Sequence, residues 1–225
     1  MQLSESTVDV LRNFSGINQN LLIKSGSTIK TISEAKNVVA TADIAENFEK
    51  DFGIYDLNEF IGVMGLVNNP DLKFEDDFVI VQDESGRSKV KYFYSSEDTL
   101  TTPSKDITMP DVDVQFKLDI DVLNKLKRAA STLGHNEVSI VGKDGSLNLS
   151  VVDSNNVTSN AFSIDIDGDF KEDAVFNFIL NINNLKIVSG DYDVQISSKL
   201  ISQFTHSDEK LRYWIAMEKS STYGV

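Results

Sequence analysis

From Asp121 to Leu133 apolar residues return every three or four positions. With successive side chains about 100° apart, Val122, Leu123, Leu126, Ala129, Ala130 and Leu133 gather on one side of a helix, and Asn124, Lys125, Lys127, Arg128 and Ser131 on the other. A similar pattern over Ser4 to Ile17 sets Thr7, Val8, Leu11 and Phe14 against Glu5, Asp9, Arg12 and Asn13, with Ser4 or Ser6 as N-cap. A third helix, with Leu57, Phe60, Ile61, Met64 and Val67 at helical spacing, opens at Asp56 and Glu59 as a capping box and ends at Asn68-Asn69-Pro70. A short fourth helix, Ile182 to Ile187, follows Asn181.

Strands occupy the intervals. In the first half the alternation predicts Asn20 to Ser25, Thr28 to Ser33 and Asn37 to Asp43 as a small meander, its first two strands turned at Ser25-Gly26. Phe52 to Tyr55, Asp71 to Glu75, Phe78 to Asp83 and Ser88 to Tyr94 follow. The periodicity then stops between Ser95 and Asp111, where two of the chain's three prolines lie, which reads as a linker. Beyond it come Asp113 to Leu118, the basic helix, a hairpin of Val138 to Gly142 and Leu147 to Val152 turned by Lys143-Asp144-Gly145-Ser146, and strands at Asn160 to Asp165, Val175 to Leu180, Tyr192 to Ser197, Leu200 to His206 and Leu211 to Met217.

Two domains are therefore expected, residues 1–110 with a linker at about 95–110, and residues 111–225. Each reads as βαβββ twice, an α+β architecture. Ile54-Tyr55-Asp56-Leu57 aligns with Ile179-Leu180-Asn181-Ile182 at an offset of 125, and Leu3, Val8 and Leu11 align with Leu118, Leu123 and Leu126 at an offset of 115. Such echoes point to internal symmetry.

Charge changes the picture. The 225 residues carry a net charge of −14 spread over both halves, whereas Lys125, Lys127 and Arg128 against Asp121 leave the helix at Asp121 to Leu133 net basic. An acidic exterior repels nucleic acid, so DNA as a partner has to meet a local basic surface. The alternative for this helix is a solvated face with no ligand. The absence of cysteine removes disulfides and thiolate metal sites and fits a reducing compartment. The N-terminus lacks the basic and apolar regions of a secretion signal, and no stretch has the length of a membrane span, so a protein that is neither exported nor inserted is expected.

Catalytic chemistry finds no support. His135 and His206 have no metal-ligand spacing. In Asp165-Ile166-Asp167-Gly168-Asp169, setting Gly168 at the sixth position of a calcium loop puts Ala174 at the twelfth, where an acidic ligand is needed, so a solvated acidic loop is expected. No phosphate-binding glycine loop and no nucleophile elbow occur. Neither metal nor cofactor is expected, and the chain does not read as an enzyme.

MQLSESTVDVLRNFSGIN with LLIKSG, IYDLNEFIGVMGLVN, and VFNFILNINNLKIVSGDYDV together resemble the DNA polymerase sliding clamps of T-even-type tailed phages, in the same order and over nearly the whole length. The resemblance implies a homotrimeric ring of six domains in the cytoplasm of an infected host, sheets outside and helices lining a hole around duplex DNA. It also implies a clamp-loader ATPase and a polymerase whose C-terminal tail docks on the ring. By position it implies DNA-facing roles for Arg12, Lys125, Lys127, Arg128 and Lys186, with Lys117 a further candidate. The helix from Leu57 to Val67 departs from an evenly basic pore, since it has no Lys or Arg. The tail pocket of such clamps lies between linker and last strand, here Ile107 and Met109 facing Trp214 and Ala216. Alternation along Leu211 to Met217 sends Trp214 and Ala216 to one face and Tyr213, Ile215 and Met217 to the other. Trp214 filling the second domain's core stands as the alternative, and an acidic, non-catalytic viral structural protein is the alternative for the whole chain.

Overall fold

The computed structural model describes residues 1–156 and 158–224, in two compact units, Met1–Lys105 and Asp106–Val225. The boundary falls inside the aperiodic stretch.

The first unit runs α1 (Glu5–Ile17), β1 (Leu21–Ile23), β2 (Gly26–Ile32), β3 (Val38–Phe48), β4 (Phe52–Ile54), α2 (Leu57–Met64), β5 (Asp71–Phe74), β6 (Phe78–Gln82) and β7 (Lys89–Phe93). The helices form where side chains satisfy their first free amides. Ser4 accepts from Thr7 N and Asp56 from Glu59 N. Glu46 of β3 also holds α1, accepting from Ser4 N and Thr7 Oγ1. Burial pushes its carboxyl up, but the hydrogen bonds from Thr7 and Ser4 outweigh that and hold it below the usual glutamate range. β3 continues to Phe48, past the expected end at Asp43, with Phe48 paired to Gly26 of β2 after a register shift. Val10, Leu11, Phe14 and Ile17 of α1 and Leu57, Phe60 and Met64 of α2 are buried, and the two helices pack on each other.

The expected opening meander is corrected. β1 pairs antiparallel with β4, and β2 with β3. The tie is long-range in sequence: Ser25 N donates to Asp51 Oδ1 at 2.7 Å and Lys24 Nζ lies 3.1 Å from Asp51 Oδ2, which holds the end of β1 to the turn before β4. α2 stops a turn early, at Gly65. Met1 replaces a full first strand, exchanging backbone hydrogen bonds with Leu72 of β5.

The second unit runs β8 (Val114–Leu118), α3 (Ile120–Leu133), β9 (Glu137–Lys143), β10 (Ser146–Val152), β11 (Phe162–Ile166), β12 (Gly168–Phe170), β13 (Val175–Asn181), a 3-10 turn (Ile182–Asn184), β14 (Tyr192–Ser197), β15 (Ile201–His206), β16 (Leu211–Ala216) and β17 (Thr222–Gly224). One sheet has the order β11-β10-β9-β13-β17, and β12, β8, β14, β15 and β16 follow one another in a second. The hairpin β9–β10 turns on Asp144 and Gly145, both at positive φ (52° and 73°), as a two-residue type I′ turn requires.

Three expectations change here. The fourth helix is only a 3-10 turn: Asn181 accepts from Asn183 N as expected of a cap, but Asn-Ile-Asn-Asn has too little helix propensity to continue. The acidic stretch at Asp165 to Asp169 is not a free loop, because β12 pairs with β8 there. Gly168 makes this approach possible, since a Cβ would collide with Leu147 Cδ2 and stand 3.2 Å from Gln115 O. Finally, β17 extends the first sheet beside β13.

The echoes at offset 115 and 125 have a structural counterpart in the caps. Ser4 and Asp119 each accept from the amide three residues on, and Asp56 and Asn181 each cap the turn that follows a strand. Each unit is a duplicated strand–helix–strand unit, its second helix shortened in the second unit.

Candidate nucleic-acid interface

α3 is fixed at both ends. Asp119 accepts from Val122 N at 2.7 Å, Asp191 accepts from Ile120 N at 2.8 Å, and Gly134, at φ 70°, closes the C-terminus in the left-handed conformation. Val122, Leu123, Leu126 and Ala130 are buried. Lys125 and Arg128 stand exposed on the opposite side with Asn124, Ser131 and Thr132. Lys127 differs from the pattern: it sits half-buried on the helix flank, and burial lowers its ammonium below the usual lysine range. Thus α3 presents two exposed cations, with a third at its edge.

The remaining candidates are dispersed. Lys117 lies on the exposed side of β8, directly opposite Asp193 of β14. Lys186 is exposed beyond the 3-10 turn, between buried Leu185 and Ile187. Its segment is held by Tyr192 Oη donating to Val188 O at 2.6 Å and Val188 N donating to Tyr213 Oη at 3.2 Å. In the first unit, Arg12 is exposed on α1, and its NH1 pairs with Asp9 Oδ1 at 2.9 Å. With Glu5, Asp9 and Arg12 on α1 and Glu59 alone on α2, the helices of that unit have no net positive charge.

On β16, Tyr213 and Ile215 are fully buried, and Trp214 and Ala216 occupy the other face. Trp214 is 7% exposed, Ala216 is open to solvent, and the Arg212 guanidinium lies 5.7 Å from the indole centre. Trp214 thus lies on the strand face opposite Tyr213 and Ile215 and is itself buried there. Ile107 and Met109 are half-buried in the segment before β8.

Both histidines have structural partners. His135 Nε2 is 2.8 Å from Asn160 O, and His206 Nδ1 accepts from Asp208 N and Glu209 N at 3.1 Å each. No group of three or more His, Asp or Glu among the described residues is arranged to hold a metal, and no helix among them is long and apolar enough to cross a membrane.

Residues 4–101 match the family model for the DNA polymerase processivity factor, and residues 114–219 match that for the gp45 sliding clamp, C terminal. The sliding clamp of Vibrio phage KVP40 is 33% identical over 97% of this chain and 99% of its own length, and that of Enterobacteria phage T4 is 30% identical over 99% of each. The chain belongs to this phage sliding-clamp family. Among solved structures, A. fulgidus PCNA with the C-terminal region of FEN-1 bound is similar at a TM-score of 0.71, covering 98% of each chain at 13% identity. The proliferating cellular nuclear antigen of Entamoeba histolytica is similar at 0.66, covering 94% of each chain, also at 13% identity. At that identity the likeness is one of fold.

Proposed function

We propose that the chain is a sliding clamp that encircles duplex DNA as a homotrimeric ring and tethers the replicative DNA polymerase for processive synthesis, without catalysing a reaction. The observation that carries this is the match of the first half to the processivity-factor model and of the second to the sliding-clamp C-terminal model, with family membership over nearly the full length. The charge distribution supports it. A chain of net charge −14 keeps Lys125 and Arg128 exposed on one capped helix, with Lys127 at its edge. These cations face the sugar–phosphate backbone and read no sequence. Arg12, Lys117 and Lys186 are secondary members of the set, since Arg12 is ion-paired and Lys117 stands opposite a carboxylate. Weak contacts suit a clamp, because retention by topology leaves the ring free to slide.

Ring closure needs a contact between copies. β7 is an edge strand with Phe93 62% exposed, its ring 5.7 Å from Phe78 and Lys91 Nζ 3.6 Å above Phe78. β11 is the edge of another sheet and exposes Ser163 and Asp165. Pairing β7 of one copy with β11 of the next covers both edges. A clamp-loader ATPase of the host cell's infecting phage opens this contact in the cytoplasm, and the polymerase tail docks beside Trp214 and Ala216, with Ile107 and Met109 as the opposite wall.

Primer extension on a circular template with the phage polymerase and loader tests the function. Addition of this protein with ATP should lengthen products at fixed polymerase concentration. Unchanged product length would contradict it.

A further inference from the structure

On the exposed side of the second unit's sheet, one row of paired residues crosses five strands: Asp169, Gln115, Gln195, Gln203 and Trp214 are successive partners on β12, β8, β14, β15 and β16. Trp214 Nε1 donates to Gln203 Oε1 at 2.9 Å. Gln203 Nε2 donates to Gln195 Oε1 at 3.1 Å and to Thr205 Oγ1 at 3.3 Å, and Gln115 Nε2 donates to Asp169 Oδ2 at 2.9 Å. Across the strands the donors run from Trp214 to Gln203 to Gln195, and separately from Gln115 to Asp169. Gln203 cannot flip its amide, because that would set NH2 against the indole N–H, which can only donate.

An indole is a donor only, and when buried it needs an acceptor. Trp214, 7% exposed, has the Gln203 amide oxygen for this role. The hydrogen bond fixes the rotation of the ring within the sheet face. Along β16 the ring has Arg212 on one side and the small, exposed Ala216 on the other. We propose that Gln203 is a positioning residue for partner docking: it fixes the Trp214 indole beside the exposed Ala216, where an apolar side chain of a partner's tail docks. The inference rests on the docking role proposed above for Trp214 and Ala216.

The single tryptophan provides one indole N–H resonance in the intact protein, and a synthetic peptide copying the C-terminal tail of the phage polymerase is the binding probe. Gln203→Met keeps the length of the side chain and removes the acceptor; Gln203→Glu retains an acceptor. Gln203→Ser, which pulls the acceptor out of reach, replaces the methionine variant should that disturb the sheet. Loss of this hydrogen bond should move the indole resonance and weaken peptide binding about tenfold, with Gln203→Glu restoring most of the affinity. Ala216→Arg should abolish binding. If Ala216→Arg abolishes binding while the acceptor-less variant binds like the parent, or its indole resonance does not move, the positioning role is overturned and the docking site stands. If Ala216→Arg binds normally, the docking site is elsewhere and the inference falls with it.

Discussion

Arg12 NH1 lies 2.9 Å from Asp9 Oδ1, so the single basic side chain on the helices of the first unit is engaged by a carboxylate one turn away. Both groups are mostly exposed, and such a pair contributes little to stability. Its consequence is electrostatic: α1 and α2 offer phosphate almost nothing, whereas α3 offers Lys125 and Arg128 without a carboxylate partner in any described ion pair.

The two helices should therefore respond differently to mutation. Arg12→Ala should change DNA retention by no more than about twofold, whereas Lys125→Glu with Arg128→Glu should speed loss from DNA about tenfold or more and flatten its salt dependence. Thermal unfolding should barely move, since changes on a solvated face shift stability by about 0.5 kcal/mol or less. Equal effects from the two helices would contradict the division of charge.

The acid response of α1 should run through Glu46. Its folded carboxyl is held below the usual range by hydrogen bonds from Thr7 and Ser4 against the opposing effect of burial. The contribution is therefore fully present above the unfolded glutamate value, about 4.3, and is lost as pH falls through the lower folded value. Glu46→Gln should cost about 1 kcal/mol at pH 7. Melting curves of parent and variant should draw together as pH falls below the unfolded value and through the lower folded one. A difference that persists undiminished to pH 3 would assign the stabilisation to packing.

The element types and their order were largely legible because α1 and α3 are strongly amphipathic and begin at capping residues, and most strands alternate cleanly. The pairing of β1 with β4 was not, since it depends on Asp51 reaching Lys24 and Ser25 across 26 residues of sequence. β12 was hidden because three residues opening with a glycine carry no periodic signal, and the fourth helix because Asn-Ile-Asn-Asn can cap a helix without sustaining one. The candidate interface divides similarly. Lys125 and Arg128 follow from helical spacing alone, while the half-burial of Lys127 is set by tertiary packing on the helix flank. The link between Gln203 and Trp214 exists only through strand register, which a one-dimensional pattern does not contain.

Assembly is tested by mass. Light scattering should give about 75 kDa, three copies of a 25.0 kDa chain. Replacing exposed Phe93 with Asp should shift the protein toward monomer if β7 carries the contact. A parent that stays at one chain's mass at high micromolar concentration would contradict the ring.

Encirclement makes one demand that ordinary DNA binding does not, namely that retention depends on the DNA having no end. Labelled protein should be loaded with its ATPase onto nicked circular DNA, separated from free protein in moderate salt, and followed before and after a single restriction cut. Encirclement predicts stable retention on the circle and release within minutes of linearisation, with retention restored when both ends are blocked by bound protein. Equal retention on circular and cut DNA would contradict it and assign binding to surface contacts alone.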